Sequence, residues 1–536
     1  MIPFPFKLNV RNLSKCKSTV SGVLQKEVNE KKNALPFWSF MEMRKIQANN
    51  SILVRLCDRT PIKKLLQYCT SHGKISHHIS YFQEGRYAVV EFESTASLEY
   101  LLQHTKELET KTGGKKSRFV HSRFLTFSKP EKQKSKEPKT ILNKENSNSV
   151  LMNKLNQCHS VSDQIDNLTQ HEQLREPEIR LRFLVCSLME EAFRNILPNC
   201  TLYPFGSTVN TFGKRSCDID MYLDRGTEAG MVPISQGKAG YKLTYDRLAA
   251  HSERVAAQTT LSTLASFLRN HVPHCGYVIR ILNATCPLVK FKHRATGLSC
   301  DLTGDNSLAL KSSELLYIYG QLDPRVRPLI FLVRYWARFH GITSVNPGYW
   351  ITNFPLTLLV LYFLQTRSPP VVVTMNQLSR LAEDTESEPM SGMGCTLVSD
   401  LNKVPPSANE ENLEQLLREF FQFLCSFSFQ RQGVSVRRGE PFPNIDENVP
   451  LHIENPLETD LNTSKNVSHK LLTLMQTHAK DALKMMEDPA FQKSDDGNTP
   501  WGLPLMFLLP SHMERGSNKS MGLGNRLTNI LKGISS

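Results

Sequence analysis

The chain of 536 residues contains twelve cysteines but no Cys-x-x-Cys pair. That excludes a clustered zinc module and the dense disulfide framework of a small secreted domain, and leaves twelve thiols expected to be reduced and mostly buried. Long apolar runs are missing too. A bilayer-spanning helix needs about 20 apolar residues, whereas the most apolar stretch, Phe354–Leu364, suits a core helix; no membrane partner is expected. Carboxylates are absent from Met1 to Lys26, where Lys7, Arg11, Lys15 and Lys17 lie among Ser14, Ser18, Ser21 and apolar residues. Basic, serine-bearing and acid-free is the composition of a mitochondrial transit peptide, so 1–49 is expected to be a disordered leader, with the matrix as destination. Acid is the minority charge overall: 65 Lys and Arg against 51 Asp and Glu, net +14. The resulting pI near 9.1 points to an anionic partner, nucleic acid before acidic lipid.

The length allows several domains. Over 50–128 the pattern predicts strand Ser51–Leu56, helix Pro61–His72, strands Ile75–Phe82 and Tyr87–Phe92, helix Thr95–Thr105 and strand Arg123–Phe127. This βαββαβ order resembles an RNA-recognition module. In the third strand, however, Val89 stands where the stacking aromatic belongs, and the first strand has no aromatic. Two uses stay open: protein contacts, including a homodimer through this module, or single-strand RNA binding. Lys- and Arg-rich residues between Lys111 and Lys144 mark a basic linker over 129–162. A mixed sheet backed by helices is expected over 163–305, mostly helices over 306–510 with a polar loop across Thr374–Ala408, and a basic tail over 511–536.

The chemistry concentrates in Phe205-Gly206-Ser207 followed by Asp218-Ile219-Asp220-Met221. Side chains alternate across a strand, so Asp218 and Asp220 share one face while Ile219 and Met221 point to a core. Two such charges about 4 Å apart repel by roughly 4 kcal/mol at an effective dielectric of about 20. A divalent cation with hard oxygen ligands, Mg²⁺ or Mn²⁺, relieves that repulsion. The Gly-Ser turn offers backbone N–H groups and a hydroxyl to a phosphate.

This arrangement resembles the signature of the DNA polymerase β-like nucleotidyltransferases, whose third carboxylate lies on a later apolar strand; Asp301 in Leu298–Thr303 matches it. Ser313–Tyr319, Asp323–Leu329, Val333–Arg338 and Ile453–Glu458 are similar to the central domain of noncanonical poly(A) and poly(U) polymerases. With the module and leader, the chain is similar to the mitochondrial poly(A) branch. The resemblance implies a palm, a helical central domain, and metal held by Asp218, Asp220 and Asp301. It implies nucleotide contacts from Phe205, Gly206, Ser207, Ser312, Arg334, Arg338, Thr352 and Asn353, with ATP and RNA 3′ ends as substrates. Lys465 stands before Asn466-Val467 where uridylyl-transferring relatives carry His, which favours ATP. Asp305 replaces the Asn that relatives commonly carry. A terminal uridylyltransferase and a catalytically inactive RNA-binding scaffold are the alternatives.

Overall fold

The computed structural model describes residues 35–57, 60–105, 122–128, 147–226, 252–304, 306–344, 348–382, 396–444, 448–493 and 499–508. The leader up to 34, the basic stretches 106–121 and 129–146, Asp305 and the tail from 509 lie outside them.

Along the chain run α1 (Phe37–Asn49), β1 (Ser51–Leu56), α2 (Ile62–Thr70), β2 (Ile75–Phe82), β3 (Arg86–Phe92), α3 (Thr95–Gln103) and β4 (Phe124–Phe127). Then come α4 (Ser147–Asn156), α5 (Val161–Glu172), α6 (Glu176–Phe193), β5 (Thr201–Phe205), β6 (Ile219–Asp224), α7 (Glu253–Asn270), β7 (Cys275–Ile281), β8 (Leu288–His293) and β9 (Leu298–Thr303). The remainder is α8 (Ser307–Leu322), α9 (Val326–Phe339), α10 (Asn353–Gln365), α11 (Met375–Arg380), α12 (Leu413–Ser426), the hairpin β10 (Gln432–Ser435) and β11 (Glu440–Pro443), α13 (His469–Glu487) and α14 (Leu503–Leu508). They form two compact units. One takes the N-terminal module together with Glu176–Val209 and Cys217–Ser313; the other takes Ser135–Arg175, Asn210–Ser216 and Glu314–Ser536.

In the first unit the module has the expected βαββαβ order and a sheet ordered β2-β3-β1-β4. One face of that sheet carries Ile52, Val54, Ala88 and Val90 into a core with α2 and α3. The other carries Leu53, Tyr87 and Val89 into the core of the second sheet, against Leu184, Leu188 and Phe291. The face on which RNA-recognition modules stack bases is therefore buried within the same chain, which removes base stacking there as a use of the module. Arg123 braces the junction, donating from Nη2 to Ser187 Oγ at 2.6 Å and from Nε to Glu191 at 2.8 Å.

Two expectations are corrected. The disordered leader over 1–49 gives way at its C-terminal end to α1, which buries Phe37, Met41 and Ala48 and packs on α6. Arg44 Nη2 donates to Glu176 at 2.6 Å. Packing, not propensity, holds this helix, since its apolar stripe is weak. The 129–162 linker contains α4, with Leu151 and Leu155 buried.

The second sheet runs β5-β6-β9-β8-β7. Only the β6–β9 pairing is parallel, as the mixed-sheet expectation requires. Ile219, Met221, Leu223, Val289, Phe291, Cys300 and Leu302 line its core face under Leu184, Leu188, Leu261 and Leu264 of α6 and α7.

The other unit is helical around Trp336, Tyr362, Phe363, Phe420 and Phe421. The loop expected across Thr374–Ala408 opens with α11, started by a Thr374–Gln377 capping box.

Candidate active site

Beside Asp218, which is exposed immediately before β6, strand register brings the other carboxylates together. Asp220 on β6 pairs directly with Asp301 on β9, Asp301 pairs with Lys290 on β8, and Phe205 on β5 pairs with Asp220. The row Phe205–Asp220–Asp301–Lys290 thus crosses four strands on the face away from the core.

Beyond Phe205 the chain turns through a 3₁₀ segment, Gly206–Thr208. Gly206 has φ 62°, and a Cβ there would fall 2.7 Å from Asp220 Oδ2. Glycine serves both purposes: it takes the left-handed conformation, and it leaves room for the carboxylate. Its N–H donates to Ser313 Oγ at 2.7 Å, and Ser313 Oγ donates to Ala309 O at 2.6 Å. The expectation that the turn's N–H groups face a phosphate is corrected for Gly206, whose donor is spent on α8. Ser207 is half-buried, and Thr208 Oγ1 is buried in the same turn without a hydrogen-bond partner.

The electrostatics are those of crowded like charge. Asp220 is pushed up to about 7 by burial, then by Asp301 and Asp218, with Lys290 opposing. Burial also raises Asp301, against its bond from Lys290, whose Nζ donates to Asp301 Oδ2 at 2.5 Å. Among the described residues no three His, Cys, Asp or Glu side chains are already gathered around one metal-sized point. The donor chemistry nevertheless fits a hard divalent cation: three carboxylates, of which Asp220 and Asp301 are disfavoured as anions.

In the helical unit, Arg334 is braced internally. Its Nη1 donates to Phe212 O at 2.8 Å, its Nε to Thr357 Oγ1 at 2.9 Å, and its Nη2 to Asn353 O at 3.4 Å. Arg338, one turn on, is exposed and paired with Glu172 at 2.9 Å. Thr352 and Asn353 are exposed at the start of α10. Contact therefore joins Arg334 to Asn353, while Arg338 is drawn to α5. Ser312 is half-buried on α8. Sequence reasoning missed Lys290 and Ser313. Alternation from Leu288 could have put Lys290 on an outer face, but nothing in the sequence sets its register against Asp301.

Residues 161–321, which hold the turn and all three aspartates, match the model of the central palm domain of mitochondrial-like poly(A) RNA polymerase. Residues 36–106 match an RL domain. The mitochondrial poly(A) RNA polymerase of Mus musculus is 40% identical over 496 residues, covering 91% of this chain and 84% of the relative. The chain belongs to the mitochondrial poly(A) RNA polymerase family. Among solved structures, mtPAP in complex with UTP superposes with a TM-score of 0.78 at 39% identity, covering 88% of this chain and 99% of that one. The ATPγS complex gives the same score at 38% identity, with the same two coverages. Within this family, a nucleotidyltransferase fold is shared over most of the chain, including the RL module.

Proposed function

We propose that the chain is a template-independent RNA 3′-end nucleotidyltransferase that transfers AMP from ATP to make poly(A) tails on mitochondrial RNAs. The observation that carries this is the cross-strand row beside Gly206, in which Asp220 and Asp301 are paired strand to strand in a chain that shares its family's palm. Asp218, Asp220 and Asp301 would hold Mg²⁺ or Mn²⁺. Such an ion supplies charge neutralisation at the phosphates and eases ionisation of the attacking hydroxyl. The chain's own residues do the rest. Gly206 keeps its backbone clear of the Asp220 carboxylate, Lys290 holds Asp301 on the face where a 3′-hydroxyl must lose its proton, and Ser207 presents its hydroxyl to phosphate oxygens. Arg338, released from Glu172, would neutralise the departing pyrophosphate; Arg334 and Asn353 with Thr352 would position the nucleotide, and Phe205 and Ser312 would complete the set.

As domains we keep 50–128 as the RNA-recognition-like module, extended at its N-terminal side by α1, 163–305 as palm and 306–510 as central domain; work in the matrix completes the reading. Self-association as a homodimer would use the module's helical side, since its sheet face is buried on the palm side of the same unit.

The test is extension of a labelled RNA oligonucleotide by the purified full chain with Mg²⁺ and each nucleoside triphosphate separately. A ladder with ATP supports the proposal. A ladder with UTP alone moves the chain to the uridylyl class, and no ladder with any nucleotide makes it a scaffold.

A further inference from the structure

Between Glu253 and Asp301 the chain has no Asp or Glu, yet it carries Arg254, Arg269, Arg280, Lys290, Lys292 and Arg294. These residues build α7, β7 and β8, the flank of the palm sheet that ends in edge strand β7. Lys290 meets Asp301. The others have no carboxylate partner among the described residues: Arg254 and Arg269 donate to backbone carbonyls, and Arg280 donates to Ser266.

Register decides where this charge faces. Lys290 and Lys292 alternate with the buried Val289, Phe291 and His293, so both stand on the carboxylate face. Lys292 is flanked by Ser299 on one side and Gly276 on the other. Arg294 continues the row: its guanidinium lies over Gly276, where a Cβ would come 2.6 Å from Nε. It then reaches the ring of Tyr277, 6.0 Å from the centroid. Tyr277 is 75% exposed, with Ile279 at 55%. A bulge between Gly276 and Ile279 presents the ring, with Tyr277 held at φ 52°. A bulky residue in the left-handed region is a conformational cost that persists where a side chain has to be aimed. The ring is not among the apolar side chains of the palm core.

We propose that this flank is the lane for the upstream part of the RNA substrate. From the aspartates, the strand's phosphates would run over Lys290 and Lys292, and a base would stack on Tyr277 beside Arg294. Three strand spacings, about 15 Å, separate β6 from β7, so a few nucleotides reach the platform. A cationic groove with an exposed aromatic is how single strands are held without sequence preference, as untemplated tailing of varied RNAs requires. The lane deepens the tailing reading and rests on it.

The test is fluorescence anisotropy of a labelled single-stranded RNA with the full chain, without nucleotide, across a salt series. Tyr277→Gly should weaken binding by about 5- to 150-fold while leaving thermal unfolding unchanged or raised, because glycine accepts the positive φ. Tyr277→Phe should bind as wild type. Lys292→Ala with Arg294→Ala should lower the slope of log K against log salt by about 1.4. Wild-type affinity and slope in both Tyr277→Gly and the double variant would overturn the lane, as would loss of binding only to phosphatidylserine vesicles. Because binding is read without catalysis, failure of the lane is distinct from failure of tailing, which the extension ladder reports.

Discussion

Replacing Gly206 by alanine separates two costs that meet at this position. The left-handed backbone charges an L residue about 1–2 kcal/mol, and the new methyl would sit 2.7 Å from Asp220 Oδ2. The carboxylate is the yielding partner, and it must retreat by 3.4 − 2.7 = 0.7 Å to reach ordinary van der Waals contact. A displacement near 1 Å in a reacting constellation costs about 10²-fold in rate, so Gly206→Ala should lose about 10- to 100-fold in kcat. Gly341→Ala is the matched control. Gly341 has φ 66° with nothing within 4 Å of the built Cβ, so it bears the backbone cost without the contact. Both variants should unfold a few degrees lower in a thermal melt, and only Gly206→Ala should lose activity in RNA extension at saturating ATP. If Gly206→Ala extends RNA as fast as Gly341→Ala, the Gly206–Asp220 contact does not set the position of the catalytic carboxylate.

Asp220→Asn should abolish tailing yet stabilise the metal-free protein at pH 8. An acid raised to about 7 from its ordinary value destabilises progressively as pH rises through that window, by up to about 4 kcal/mol; denaturant melts in EDTA showing equal or lower stability at pH 8 would contradict this. His293 is buried, its imidazole pushed down to about 4 by burial and by His274, with Nδ1 2.9 Å from Thr296 Oγ1. The fold prefers the neutral ring, so about 3 kcal/mol of stability should be lost as pH falls from about 6.5 to 4; urea melts of His293→Phe should lose that part of the pH dependence, and an unchanged profile would count against it. Glu172→Gln should free Arg338 and lower the KM for ATP, with at most about 1 kcal/mol lost in stability because the pair is partly exposed; an unchanged KM in steady-state kinetics would remove Arg338 from the nucleotide site.

The elements that position the site were largely legible. The alternation around Asp218 and Asp220 placed both carboxylates off the core face, and Ile219 and Met221 are fully buried. Asp301 could be picked out because apolar residues flank it on a strand whose observed limits, Leu298–Thr303, match the expected ones. The helices α8, α9, α10, α12 and α13 fall within the span over 306–510 that was expected to be mostly helical, since a 3.6-residue period is written in the local sequence. Helix α1 was not legible. Its stripe is weak, and its partners Phe183 and Glu176 lie far along the chain.

The amino-acid sequence by itself determined which face of each strand carries charge and which carries apolar residues, because alternation and helical periodicity depend only on near neighbours. It also determined that a tight glycine turn precedes the paired aspartates. Only the tertiary structure decided that Asp220 stands against Asp301 and Asp301 against Lys290, that Ser313 takes the Gly206 N–H, that Glu172 holds Arg338, and that Val89 faces another sheet instead of a base. Each of these is a pairing between segments remote in sequence, set by strand register and by the burial of two apolar faces against each other. A two-residue slip in β8 would keep Lys290 on the outer face but take it away from Asp301, and no local pattern forbids it.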